Sequence, residues 1–198
     1  MDNNPINGVE DEFRVFMFLD MKSSTSHAEK LGHIRYFEML KAYYDDLSHA
    51  ILTYGGEIYQ YVGDEIVITW KLKKDFAMKA LDCFFAMQLD LNKKSKSYLS
   101  TYGFVPEFKA GLHVGKVITG EIGRLKKEIV FTGDTLNTTA RIQSLCNQHK
   151  AELLASEDFI EELVSTNHYE FIPLGKVQLR GREQEIKLFN VKKQNVLT

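Results

Sequence analysis

The sequence predicts an α+β fold, a ferredoxin-like βαββαβ core whose mainly antiparallel sheet is extended by further strands and carries packed helices. Three observations predict it. FRVFMFL (residues 13–19) is a nearly unbroken apolar run ending at Asp20, the pattern of a central strand covered on both faces. Two longer stretches repeat apolar residues at steps of three and four, as amphipathic helices do. Between and after them stand β-rich runs split by short Gly-containing breaks, as antiparallel hairpins require.

Taken in order, residues 1–12 are polar, contain Pro5 and Gly8, and read as a flexible lead-in or linker. The folded domain is expected over 13–192, with 193–198 as a C-terminal tail. SSTS (23–26) supplies hydroxyls able to cap a helix start. Ile34, Phe37, Leu40, Tyr44, Leu47 and Ile51 then form a helical stripe that Gly55 and Gly56 end. EIYQYV (57–62) and EIVITW (65–70) flank Gly63-Asp64, a tight hairpin. Phe76, Ala80, Phe84, Met87 and Leu91 mark a second helix, and the Lys/Ser-rich stretch 93–100 is expected to be a loop. EFKAGLHV (107–114) and VITGEIG (117–123), around Gly115-Lys116, predict another hairpin. EIVFT (128–132) is a strand leading into a capped turn and helix, GDTLNTTARIQSL. ELLAS, DFIEEL, HYEFIPLGKVQLRG and EIKLFNV close the chain as strand, short helix and two strands. The opening portion is thus β-α-β-β-α-β, with its helices expected on one face of the sheet.

Composition narrows the function classes. A chain of 198 residues can bury a sizeable core without staples. With 27 acidic against 25 basic residues it gives no global reason to bind nucleic acid. Cys83 and Cys146 have no CxxC spacing, which argues against a disulfide framework and fits a reducing, cytoplasmic setting. The six histidines show no HxH or HExxH spacing, and no GxSxG, Walker A or GxGxxG motif occurs. No apolar run approaches the length of a membrane span, so this segment is expected to make no membrane contact. The polar opening instead suggests the catalytic piece of a longer protein, with a sensor or membrane anchor upstream.

Four places could carry chemistry. Asp20 ends a buried strand beside Met21, Lys22, Ser23, Ser24 and Thr25, where a helix start offers free N–H groups to an anion. Asp64 sits at the hairpin tip, where Gly-Asp is also plain turn chemistry. Should that hairpin lie beside the first strand, the two carboxylates would meet, and paired carboxylates need cations between them. Asn137 and Arg141 stand four residues apart on an expected helix, so one face presents an amide and a planar phosphate-binding fork. Arg180 and Arg182 around Gly181 form a basic turn able to close over a polyphosphate.

These segments, in this order, resemble the class III nucleotidyl (adenylate/guanylate) cyclases. FMFLDMKSST looks like their first metal strand and phosphate loop, and GGEIYQYVGDEIVITW like their second metal hairpin. FKAGLHVGKVITGEIG is similar to their GxHxGxxxxGxxG segment, GDTLNTTARIQSL to their GxxxNxxxR segment, and GKVQLRGREQEIKLFNV to their closing strands. The resemblance implies a nucleotidyl cyclase fold, and two Mg²⁺ or Mn²⁺ ions held by Asp20, Asp64 and the Met21 backbone. It implies β- and γ-phosphates on backbone groups of Met21 to Thr25, and Arg180 as a further phosphate ligand. It assigns the ribose to Asn137 and the transition state to Arg141. It implies a homodimer whose two sites each take Asp20 and Asp64 from one chain and Asn137 and Arg141 from the other.

Departures from the family pattern concern the base. Gln60 stands where adenylate cyclases commonly carry Lys and guanylate cyclases Glu, and Val130 stands where Asp, Thr or Cys is usual. Thr132 is close enough to substitute, and Tyr59 and Tyr61 flank the pocket. A Gln amide both donates and accepts, so it does not choose between adenine and guanine. ATP is the expected substrate and cyclic AMP the product. The alternatives are a guanylate or pyrimidine cyclase and a silent domain of the same fold. A polymerase- or diguanylate-cyclase-like palm would show a GG[DE]E[FL]-type hairpin where this chain has YVGDE.

Overall fold

Alternation along one strand organises the molecule. In β1 (Val9–Met21) the side chains of Val15, Met17, Leu19 and Met21 enter one apolar cluster, and those of Phe16 and Phe18 enter another. Both faces are therefore covered, as the unbroken apolar run predicts. The computed structural model describes residues 9–124, 127–179 and 185–194. β1 begins at Val9, inside the stretch read as a lead-in, because residues from Val9 onward pair with the far half of a later strand.

The remaining elements are α1 (Ser24–Leu31), α2 (His33–Thr53), β2 (Glu57–Val62), β3 (Glu65–Lys71), α3 (Phe76–Lys93), α4 (Ser95–Tyr102), β4 (Phe108–Ile122), β5 (Glu128–Thr132), α5 (Asp134–Ser144), β6 (Leu153–Ser156), α6 (Glu157–Glu161), β7 (Tyr169–Gln178) and β8 (Glu185–Lys193). The sheet order is β2-β3-β1-β4-β6-β8-β7, with β5 paired to β4. β2-β3-β1-β4 is the ferredoxin-like arrangement. Every described pairing is antiparallel except β4 with β6.

Three expectations change. The Lys/Ser-rich stretch is not a loop but α4, because Tyr98 within it is buried in the main cluster and its hydroxyl donates to Asp46 Oδ2 at 2.7 Å. Gly115-Lys116 is no turn: β4 runs straight through it. An added Cβ at Gly115 would lie 2.5 Å from Thr135 Oγ1, and one at Gly111 would lie 2.6 Å from the Gln143 nitrogen. These glycines let α5 lie directly on the strand, so they mark close approach. The helices of the opening portion share one face, as expected: α2 and α3 cover the Val15 side, while α5, later in the chain, covers the Phe16 side. In the stripe read on α2, Leu40, Leu47 and Ile51 are buried and Tyr44 half-buried, whereas Ile34 and Phe37 are exposed: the buried face of α2 begins at Met39.

The sheet also curls. β2 and β5 lie at opposite ends of the run β2-β3-β1-β4-β5, where a flat sheet would hold them about 20 Å apart. Yet the rings of Tyr59 and Phe131 are 4.9 Å apart. β5 therefore folds back over the Phe16 face.

Candidate active site

The strand ends of β1, β3 and β4 make an acidic corner. Pair register sets Asp20 opposite Glu65 on one side and Lys109 on the other. Asp64 occupies the β2–β3 turn after Gly63, whose φ of 63° suits glycine. Tyr44 pins that turn by donating from its hydroxyl to the Gly63 carbonyl at 2.7 Å. The turn reaches Asp20. Burial raises the Asp20 carboxyl above its ordinary value, a hydrogen bond from Lys109 opposes this, and the charge and side-chain contact of Asp64 raise it further. Glu65 is likewise raised by burial and then by Asp20 and Asp64. Lys109 Nζ sits 3.2 Å from Asp20 Oδ2 and is the cation paired with it.

Among the described residues no group of three His, Cys, Asp or Glu side chains takes a metal-holding arrangement. The corner nonetheless suits hard divalent cations. Its donors are carboxylate oxygens, two of them in mutual contact, and among the described residues the Lys109 ammonium pairs with Asp20. Like charges held this close favour an added cation.

Along the phosphate-loop candidates, Met21 is buried and paired with Phe108. The Lys22 N–H donates to the Glu107 carbonyl at 2.8 Å, and its ammonium bonds Glu107 at 3.2 Å and Glu152 at 2.9 Å. Those Lys22 donors are thus already committed. Ser23 precedes α1 with φ 57° and makes no side-chain cap, contrary to the capping expected of it. The helix ladder begins with His27 N–H to the Ser23 carbonyl, so the Ser24 and Thr25 amides precede the first intrahelical bond. Arg180 and Arg182 lie outside the described residues.

On α5 the sheet-facing residues are Thr135, Thr138, Thr139, Ile142 and Gln143. By helical periodicity Asn137 and Arg141 lie one turn apart on the face turned away from the sheet, with Asn137 exposed. One chain brings Asp20 and Asp64 together and directs Asn137 and Arg141 elsewhere. The base candidates form a third group. A bulge between Ile58 and Gln60 frees Tyr59 to reach Phe131, and the Phe131 N–H points at the Tyr59 hydroxyl at 3.5 Å. Gln60, exposed, follows Tyr59; Val130, half-buried, and Thr132, exposed, flank Phe131.

Residues 11–193 match the family described as the adenylate and guanylate cyclase catalytic domain. The chain belongs to that family. "Adenylate cyclase 2" of Rhizobium meliloti is 35% identical over 181 residues, covering 91% of this chain and 50% of that protein. The structure of the adenylyl cyclase CyaB from P. aeruginosa superposes with a TM-score of 0.83 at 18% identity, covering 95% of this chain and 97% of that one. The guanylate cyclase domain of RhGC from Catenaria anguillulae, solved with GTP, gives 0.76 at 18% identity over 94% and 100%. The chain spans about half the length, or less, of the curated relatives it matches. Its fold is that of the nucleotidyl cyclase catalytic domains, as the motif order implies.

Within this cyclase domain, sequence reasoning missed Lys109 and Glu65. Lys109 lies two residues before Gly111 in a run that reads only as strand, and its place beside Asp20 depends on β1–β4 register. Glu65 directly follows Asp64, but its neighbour across the ladder is set by β1–β3 pairing. Alternation alone would have put each on the Asp20 side of its strand; nothing in the chain shows which strands are neighbours.

Proposed function

We propose that two copies of this chain convert ATP to 3′,5′-cyclic AMP and pyrophosphate. The observation that carries the proposal is the convergence of Asp20 and Asp64, distant in sequence, at one corner with a surplus of negative charge. In this reading the ribose 3′-oxygen bonds to the α-phosphorus as the bond to the departing pyrophosphate oxygen breaks, and the hydroxyl proton leaves to water. Asp20, Asp64 and the Met21 backbone would hold two Mg²⁺ or Mn²⁺ ions, which would supply charge neutralisation of the triphosphate and acidification of the hydroxyl.

The protein's own part is positioning and charge. Amides of Ser23, Ser24 and Thr25 receive the outer phosphates, with Lys22 nearby and Arg180 as a further ligand. Asn137 orients the ribose, and Arg141 donates to the oxygens of the five-coordinate phosphorus, where negative charge builds. The outward placement of Asn137 and Arg141 supports a site completed by the other copy, so two sites form per homodimer. Gln60, Val130 and Thr132 receive the base. Adenine follows from the Rhizobium relative, since the Gln60 amide suits either purine. The domain, whose strands run from Val9 to Lys193, acts in the cytoplasm. No described helix is long and apolar enough to cross a membrane.

The test is incubation of the purified protein with ATP, GTP, CTP and UTP, each with Mn²⁺, reading cyclic products. Cyclic AMP formed faster than the others, and lost in Asp64→Asn, is expected. Cyclic GMP in excess would move the assignment to a guanylate cyclase. No cyclic product from a demonstrably dimeric protein would leave a silent domain of this fold.

A further inference from the structure

An ion network with a buried centre, Arg14 and Glu12, and exposed outer members, Glu57 and Lys71, joins the strands of the base candidates and takes no part in the chemistry above. Arg14 on β1 is 7% exposed and Glu12 is 8% exposed. The Arg14 Nε donates to Glu12 Oε2 at 2.5 Å and its terminal nitrogen to Glu57 at 2.9 Å, while Lys71 holds the other Glu12 oxygen at 2.8 Å. The guanidinium also lies over the Phe131 ring, 4.7 Å from its centroid. One side chain thus touches both strands that carry base candidates. Glu57 is on β2 with Gln60, and Phe131 is on β5 between Val130 and Thr132.

We propose that Arg14 is a positioning residue for the nucleobase: it clamps Phe131 of β5 beneath its guanidinium while tying Glu57 of β2, and so sets the gap between Gln60 and the Val130–Thr132 pair. The inference rests on the cyclase reading and extends it to what tunes the base pocket. Two physical points support it. Among the described residues the ladder of β5 is with β4, so its approach to β2 is set by side chains, and Phe131 meets Arg14, Tyr59 and Phe16 there. A buried ion pair is seldom the most stabilising filling for a core position. Arg differs from Lys in offering a flat, permanently charged plane that stacks on a ring and bonds carboxylates edge-on at once.

Arg14→Lys keeps the charge between Glu12 and Glu57 but loses the plane over Phe131; Glu57→Gln weakens the β2 tie and leaves the stack. Kinetics are read with ATP and GTP for both variants, with hydrogen exchange of the 128–132 segment. For Arg14→Lys we expect KM for ATP to rise about five-fold with kcat within about two-fold, the ATP/GTP ratio of kcat/KM to shift about five-fold, and exchange in β5 to quicken. Glu57→Gln should move KM the same way by less. KM, ratio and exchange all at wild-type values in both variants would overturn the proposal, even if melting temperature fell, because the network would then be only a structural staple. A wild type that forms no cyclic product is a failure of the cyclase reading, seen before any variant is compared. Binding of a non-cyclisable ATP analogue then decides: about five-fold weaker binding by Arg14→Lys supports the clamp, and unchanged or absent binding rejects it.

Discussion

The acidic corner and the outer face of α5 are built on opposite logics. At the corner, three strands and a turn converge, every side chain has a neighbour, and the carboxylates disturb one another. On α5, the buried face is crowded against β4, while Asn137 and Arg141 look outward. In the proposed reading the corner is finished by folding and the helix face by a docked second copy. That difference teaches how a single chain would hold both halves of a reaction centre without holding one centre.

The sharpest way to break this comparison is to inactivate each half separately. Asp20→Asn and Arg141→Ala should each lower cyclase turnover on the order of 10² to 10³-fold, Arg141→Ala with little change in nucleotide affinity. Mixed and allowed to exchange subunits, the two dead proteins should regain about a quarter of wild-type activity, since half the dimers carry one intact site. A mixture as inactive as its parts would mean that the two halves do not meet across an interface.

The next effect falls on stability. An added methyl at Gly111 would strike the Gln143 backbone nitrogen at 2.6 Å and the Thr139 carbonyl oxygen at 2.9 Å, and backbone cannot step aside cheaply. Gly111→Ala should therefore cost about 1–3 kcal/mol in urea unfolding and displace the helix that carries Asn137 and Arg141. A variant as stable as wild type would show that α5 is not seated on β4 as described.

What could be read in the chain follows the same division. The strand ending at Asp20, the Gly63-Asp64 turn and the four-residue spacing of Asn137 and Arg141 are local patterns, and each appears in the fold as read. Gly115 was misread because a glycine reports only that a Cβ is unwelcome. Whether a turn or a crossing helix forbids it depends on an element twenty residues away. α4 hid in a Lys/Ser-rich stretch whose single burying residue, Tyr98, is outvoted by its neighbours. Lys109 and Arg14 matter through register and through the curl that lays β5 over β2, neither of which is written locally.

Acid separates the two ends of β1. Burial pushes Glu12 up, but hydrogen bonds from Lys71 and Arg14 outweigh it and hold its carboxyl at about 2, from 4.5. A depressed carboxylate contributes stability above its unfolded value and loses it as pH falls through the folded one. Metal-free protein should therefore weaken between about pH 4.5 and 2 through Glu12, and Glu12→Gln should flatten that part of the melting-temperature profile. Asp20 is shifted the opposite way. Its stabilising share is present below the ordinary value of 3.8 and is lost as pH rises through the raised value, so Asp64→Asn should make the metal-free protein more stable at neutral pH. Profiles unchanged by both substitutions would remove the electrostatic contrast between the two ends.

The smallest effect concerns the ammonium paired with Asp20 at the corner. Lys109 Nζ bonds Asp20 at 3.2 Å and Asn147 Oδ1 at 3.1 Å, so it both offsets the acids and ties the chain just after α5 to the strand ends. Lys109→Met keeps much of the volume and removes the charge. Without divalent ions the acids then face one another uncompensated, and the melting temperature should drop by about 2–4 °C. With Mn²⁺ present the sign reverses: no ammonium repels the incoming ion, and the half-saturating Mn²⁺ concentration in a thermal-shift titration should fall about three-fold. Weaker Mn²⁺ binding would instead mean that Lys109 holds Asp20 in its binding orientation, which would make the corner depend on a preformed ion pair as much as the α5 face depends on its partner.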